Sequence, residues 1–150
     1  MKHFTLIFLF LSITLFASLS APVQIIPYPA EITYGEGHLT LSANFTIEAA
    51  DAIRFEADYL ADILKKGFSS NAPQGIPCSI IELHLDDASI SQFGEEGYLL
   101  STNSNHILIR AATPAGIFYG IQTLRQLLPV DFESSSRHTV EIARVEVVDQ

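Results

Sequence analysis

Glu96 to Pro129, EGYLLSTNSNHILIRAATPAGIFYGIQTLRQLLP, is the stretch that decides the fold. It reads as strand, hairpin, strand and capped helix. Tyr98 to Ser101 and His106 to Ala111 flank the polar connection Thr102-Asn103-Ser104-Asn105, the signature of a hairpin. Thr113-Pro114 then starts a helix. Threonine serves as N-cap, and proline at the first helical position loses nothing by lacking an N–H. Ile117, Ile121, Leu124 and Leu128 make one apolar stripe along a helix that runs to Leu128, and Pro129 follows its end. Gly116 and Gly120 lie one turn apart and let this helix approach a sheet closely, although each costs about 1 kcal/mol against alanine.

Toward the N-terminus the period alternates between two and three to four. Ile25-Ile26-Pro27-Tyr28-Pro29 reads as an edge strand, because proline donates nothing to a central ladder. Ile32-Thr33-Tyr34 is a second short strand, and Gly35-Glu36-Gly37 a turn. His38 to Ser42, then Phe45 to Glu48, alternate with one apolar face, as half-buried antiparallel strands do. Asp51 to Lys66 changes to helical spacing. Ala52, Phe55, Tyr59 and Ile63, joined by Leu60 and Leu64, form its expected buried face, with Gly67 as the C′ residue. Ser69 to Pro77 is a loop, and Asp86 to Gly94 is polar and turning. Ser79 to Leu85 is a strand with Ile81, Leu83 and Leu85 inward, Glu82 and His84 outward.

On the C-terminal side, Thr139 to Val148 is a last strand. Its apolar phase switches near Ala143-Arg144, from Val140 and Ile142 to Val145 and Val147, as a bulge, or the passage from this sheet into the next unit, would cause. The sum is an α+β, two-layer domain: a mostly antiparallel sheet with two helices on one face.

The chain has 150 residues and a formal charge of −9. Lys2 and His3 precede an apolar run, Phe4 to Leu19, and small residues stand at Ser18 and Ser20. That is the pattern of a signal peptide, residues 1–20, cleaved after Ser20. Export to the periplasm or the extracellular space follows, with no stable membrane span after cleavage. Residues 21–150 then form one domain of about 130 residues, an ordinary domain size. Its acidity suits neither nucleic acid nor an anionic membrane. Cys78 is the only cysteine. No intrachain disulfide can form, and its place at a strand entry suggests a half-buried structural thiol.

The residues assign no reaction chemistry. Asp86-Asp87 and Glu95-Glu96 are sequence neighbours, which point to opposite sides of an extended segment. His38, His84, His106 and His138 lack the spacing of a metal site. No Gly-x-Ser-x-Gly elbow is present, and Gly116-x-x-x-Gly120 is a packing device without the lysine of a phosphate loop. Asn44-Phe45-Thr46 matches a glycosylation sequon. Tyr28, Tyr34, Tyr98 and Tyr119 suit core or interface packing better than a sugar platform, in a chain with no tryptophan. No catalytic, cofactor-binding or metal-ligating residue is assigned, and no cofactor is expected.

Three pieces of wording carry a family resemblance: Val23-Gln24-Ile25-Ile26-Pro27-Tyr28-Pro29 followed by Gly35, the Glu96-Gly97-Tyr98 hairpin with the Gly116 to Pro129 helix, and Val145-Glu146-Val147-Val148-Asp149. Together they resemble the region before the catalytic barrel in family 20 glycoside hydrolases, the β-N-acetylhexosaminidases. The resemblance implies an N-terminal accessory domain beside a (β/α)8 barrel. It also implies release of terminal β-linked N-acetylhexosamine from glycans or chitooligosaccharides, by a retaining, substrate-assisted mechanism with an Asp-Glu pair in the barrel. The chain carries no matching Asp-Glu motif, so it looks like the inactive front part of such an enzyme, reaching glycan only through the barrel. On this reading Tyr119, Gln122 and Gln126, beside the apolar stripe, contact the barrel. Two other readings stay open: a stand-alone carbohydrate-binding or interaction module, and the accessory domain of another glycosidase family.

Overall fold

The computed structural model describes residues 24–71, 73–103 and 105–150; the leader expected at residues 1–20 lies outside them. The elements are β1 (Glu31–Ser42), β2 (Phe45–Ala49), α1 (Arg54–Gly67), β3 (Ser79–Leu85), α2 (Ile90–Phe93), β4 (Tyr98–Thr102), β5 (His106–Ala111), α3 (Pro114–Leu127) and β6 (Thr139–Asp149). One six-stranded sheet has the order β1-β6-β4-β5-β3-β2. The pairs β1–β6, β6–β4 and β4–β5 are antiparallel, and β5–β3 and β3–β2 are parallel. The α+β class holds, with a mixed sheet and a third, one-turn helix in α2. No helix among the described residues is long and apolar enough to cross a membrane.

The hairpin and helix of the Glu96–Pro129 stretch form as its residues dictate. Thr113 caps α3 by accepting a hydrogen bond from the Gly116 N–H at 3.2 Å, with Pro114 at the helix start. A Cβ on Gly116 would meet the Gly97 carbonyl oxygen and, at 2.7 Å, the Ala111 Cβ; one on Gly120 would meet Ile109 Cγ2 at 2.5 Å. The two glycines therefore set the distance between α3 and the sheet. Ile117, Ile121 and Leu124 are buried against Leu100, Ile107 and Ile109, in one core shared with Leu39 and Leu41 of β1 and Val145 and Val147 of β6.

The phase switch of β6 at Ala143-Arg144 coincides with an irregularity in the pairing, and the extra residues sit in the partner strand β1. Between the pairs Tyr34↔Val145 and His38↔Ala143 the register shifts, so that Gly35, Glu36 and Gly37 stand against Arg144 alone. The Gly-Glu-Gly segment is thus an irregularity inside one long strand, not the expected turn between two short ones. Gly37 has a positive φ of 78°, and a Cβ on Gly35 would come within 3.2 Å of the Arg144 Cβ, so glycine fits both places. On the other side of β6, the buried Thr102 hydroxyl accepts from the Val145 N–H at 2.7 Å and donates to the Ala143 carbonyl at 2.9 Å. It satisfies the backbone groups that the bulge frees from the ladder.

Five further expectations are corrected. Ile25 to Pro29 is not a strand: two prolines remove donors, and β1 begins at Glu31. Phe45 to Ala49 is parallel to β3, because α1 carries the chain back across the sheet as a crossover. The buried face of α1 is in part rotated from the expected one. Leu60, Ile63 and Leu64 are buried as expected, but Ala52 is exposed and Phe55 is 75 % exposed, while Gly67 and Ile53, the residue just before α1, are buried in addition. Gly67 is the last helical residue rather than C′, and a Cβ there would collide with the Phe132 ring. That ring packs edge-on to Phe68 with centroids 5.0 Å apart, and this contact at the helix end fixes which stripe turns inward. Cys78 is exposed, since it precedes β3 at the rim of the sheet.

Candidate functional site

The charged groups singled out by the sequence do not assemble into reaction machinery. Asp87, Glu95 and Glu96 are exposed and Asp86 half-buried. On the sheet face away from the helices, Glu82 lies 3.5 Å from His84 Nδ1 and 3.2 Å from His106 Nε2, while His38 and His138 are exposed elsewhere. Among the described residues no group of three or more His, Cys, Asp or Glu side chains is arranged to hold a metal.

The three side chains expected at an interface do come together. Tyr119, Gln122 and Gln126 project from the outer face of α3 and line one groove of about 360 Å³. Spacings of three and four residues put them on one helix face. Tyr119 is 41 % exposed. The Gln122 amide donates to the Tyr59 hydroxyl at 3.2 Å, which ties α3 to α1. Gln126 Oε1 accepts from the Ile26 N–H at 2.8 Å. Phe118 stacks at a tilt on Tyr59, centroids 5.4 Å apart, and edge-on to Tyr119 at 5.9 Å. An aromatic ridge thus crosses both helices, next to the exposed Phe55.

Sequence spacing along α3 does not show what completes the groove. Ile26 and Pro27 form one wall and Glu96 and Asp149 another. Both described ends of the chain meet here because β1 and β6 are neighbours. Asp149 Oδ1 accepts from the Ala30 N–H at 3.1 Å and from the Gln150 N–H at 3.2 Å. At the floor, the Tyr98 and Thr123 hydroxyls share a hydrogen bond. Burial raises the Tyr98 pKa above the ordinary 10.0, the Thr123 bond lowers it, and the Asp149 charge raises it again. The one available signal for the Ile26 wall was Ile25-Ile26-Pro27: consecutive apolar residues on an extended chain cannot both face the core.

The groove offers aromatic and amide surface with two carboxylates and no basic residue. It contains no nucleophile paired with a base. Its chemistry is that of contact: apolar burial at the centre and polar groups at the rim.

Residues 22–150 match the family model described as glycosyl hydrolase family 20, domain 2. The chain is 31% identical to a beta-hexosaminidase of Porphyromonas gingivalis over 117 residues, covering 76% of this chain and 15% of that protein. It is 28% identical to beta-hexosaminidase subunit A2 of Dictyostelium discoideum over 165 aligned positions, 99% of this chain and 29% of the relative. The GH20 beta-N-acetylhexosaminidase of Streptomyces coelicolor A3(2) has a similar structure, with a TM-score of 0.68, 28% identity, and coverage of 86% of this chain and 27% of that one. The chain therefore spans less than a third of the length of each of these relatives. A two-layer sheet-and-helix domain with this hairpin and helix, matched along nearly all its described length, belongs to glycosyl hydrolase family 20, as that family's domain 2.

Proposed function

We propose that this chain is the N-terminal, non-catalytic domain of an exported β-N-acetylhexosaminidase. Residues 1–20 act as its secretion leader and residues 21–150 as a brace for a (β/α)8 barrel in the full-length protein. The barrel releases terminal N-acetylhexosamine; the brace reaches glycan only through it. Docking occurs through the outer face of the helices, with Tyr119, Gln122 and Gln126 at its centre. One observation carries this reading: the groove that holds those three residues is walled by the last residues of β6, so a domain that follows Gln150 starts at that groove. The sheet's other face fits docking less well, being studded with Glu82, His84, Glu141 and Glu146.

The test is enzymatic. Purified residues 21–150 should release no aglycone from an aryl N-acetylglucosaminide, while the same residues joined to their barrel should hydrolyse it. Turnover by the 130-residue piece alone would overthrow the non-catalytic reading. Saturable binding of chitooligosaccharides by that piece would favour a stand-alone carbohydrate-binding module instead.

A further inference from the structure

Residues 24–30 run over the end of α3 as a strap that no sheet ladder holds. Two side chains pin it instead: the Ile26 N–H donates to Gln126 Oε1 at 2.8 Å, and the Ala30 N–H donates to Asp149 Oδ1 at 3.1 Å. Between these points Pro27 and Pro29 have no N–H to offer. Two buried side chains bracket three exposed ones along the strap. Ile25 is 4 % exposed and Pro29 is buried, so both plug into the domain. Ile26 and Tyr28, between them, are each 76 % exposed. A strap fastened at both ends that holds an isoleucine and a tyrosine in water has the form of a contact element waiting for a partner.

We infer that the strap, through Ile26 and Tyr28, is part of the surface that receives the barrel, and that Gln126 and Asp149 are positioning residues that hold it there. This rests on the docking reading above. The occupant follows from place and chemistry. The strap forms the wall of the groove opposite the backbone leaving β6. A barrel attached after Gln150 meets Ile26 and Tyr28 as it meets Tyr119. Glu96 and Asp149 line the groove with no basic residue beside them, so the matching barrel surface is apolar at its centre and carries an arginine or lysine at its rim. Strap and α3 then form one continuous footprint.

The experiment compares the double variant Ile26→Ser/Tyr28→Ser in two settings: the 150-residue chain alone, and the same chain joined in frame to its barrel. Both side chains are exposed, so the melting temperature of the chain alone should not change. The joined protein should melt several degrees lower, and strap amides 24–30 should lose their protection from hydrogen exchange. Gln126→Ala, which frees the strap, should reproduce the loss of strap protection. An equal shift in both settings, or none in the joined protein, overturns the inference. If joining the barrel protects the α3 amides from Tyr119 to Gln126 but leaves the strap unprotected, the docking reading stands and only the strap falls. If it protects neither, or if no barrel follows in frame, both fall.

Discussion

At the scale of single residues, two buried hydroxyls do work that composition hides. Thr102 supplies both an acceptor and a donor to the β6 backbone opposite the β1 bulge. Thr102→Val keeps the shape and removes both. The Val145 N–H is then buried without a partner, and the expected loss of stability is about 1–3 kcal/mol, measurable by urea unfolding. Tyr98 is the second. Its hydroxyl pKa is raised in the folded state, first by burial. Below pH 10 the group is neutral in both states and costs nothing. Above it, the unfolded chain releases the proton while the folded one holds it, so stability falls as pH rises through the folded pKa. Tyr98→Phe should lose roughly 1 kcal/mol near neutrality with the Thr123 bond, and should show a shallower decline in alkaline unfolding curves. Equal slopes above pH 10 would reject this linkage. In the sequence Thr102 is one residue of a polar hairpin connection, and nothing local marks it as the plug of a distant bulge.

Among the elements, α3 was legible in full and α1 only in part. The cap, the proline start, the apolar stripe and the glycine pair of α3 are all local signals, and they agree with one another. Gly116→Ala tests how far packing outweighs propensity. Alanine favours a helix by about 1 kcal/mol, yet its Cβ would meet the Gly97 backbone and Ala111, and overpacking costs about 1–3 kcal/mol. The net expectation is a lower melting temperature; a rise would mean that α3 can move off the sheet freely. In α1 the buried face runs through Leu60, Ile63 and Leu64, and toward its N-terminal end it could continue through Phe55 or through Ile53, just before the helix. Helical period cannot choose between them, because both satisfy it. The choice comes from Gly67 lying against Phe132, a contact between residues 65 positions apart. Phe55 is left 75 % exposed, whereas Tyr59 stays partly buried against the core.

For the whole molecule, the pairing of β1 with β6 is the organising contact. It places the last strand between β1 and β4, brings both described chain ends to one groove, and sends Val140, Ile142, Val145 and Val147 into the core. A chain ending at His138 should therefore lack cooperative unfolding and the dispersed amide spectrum of a folded domain, since β1 would have no neighbour and the core would lose four buried side chains. A folded product would show that β1 can pair with β4 directly. The sequence by itself determined the class of fold, the hairpin, the capped helix, the place where β6 changes phase and the common helix face of Tyr119, Gln122 and Gln126. All of these rest on spacing within one segment, where side-chain direction follows from backbone period. Only the tertiary structure decided which stripe of α1 is buried, that β2 runs parallel to β3, and that Ile26, Glu96 and Asp149 complete the groove. Those outcomes depend on contacts between segments far apart in the chain, and a local period carries no information about what lies across the core.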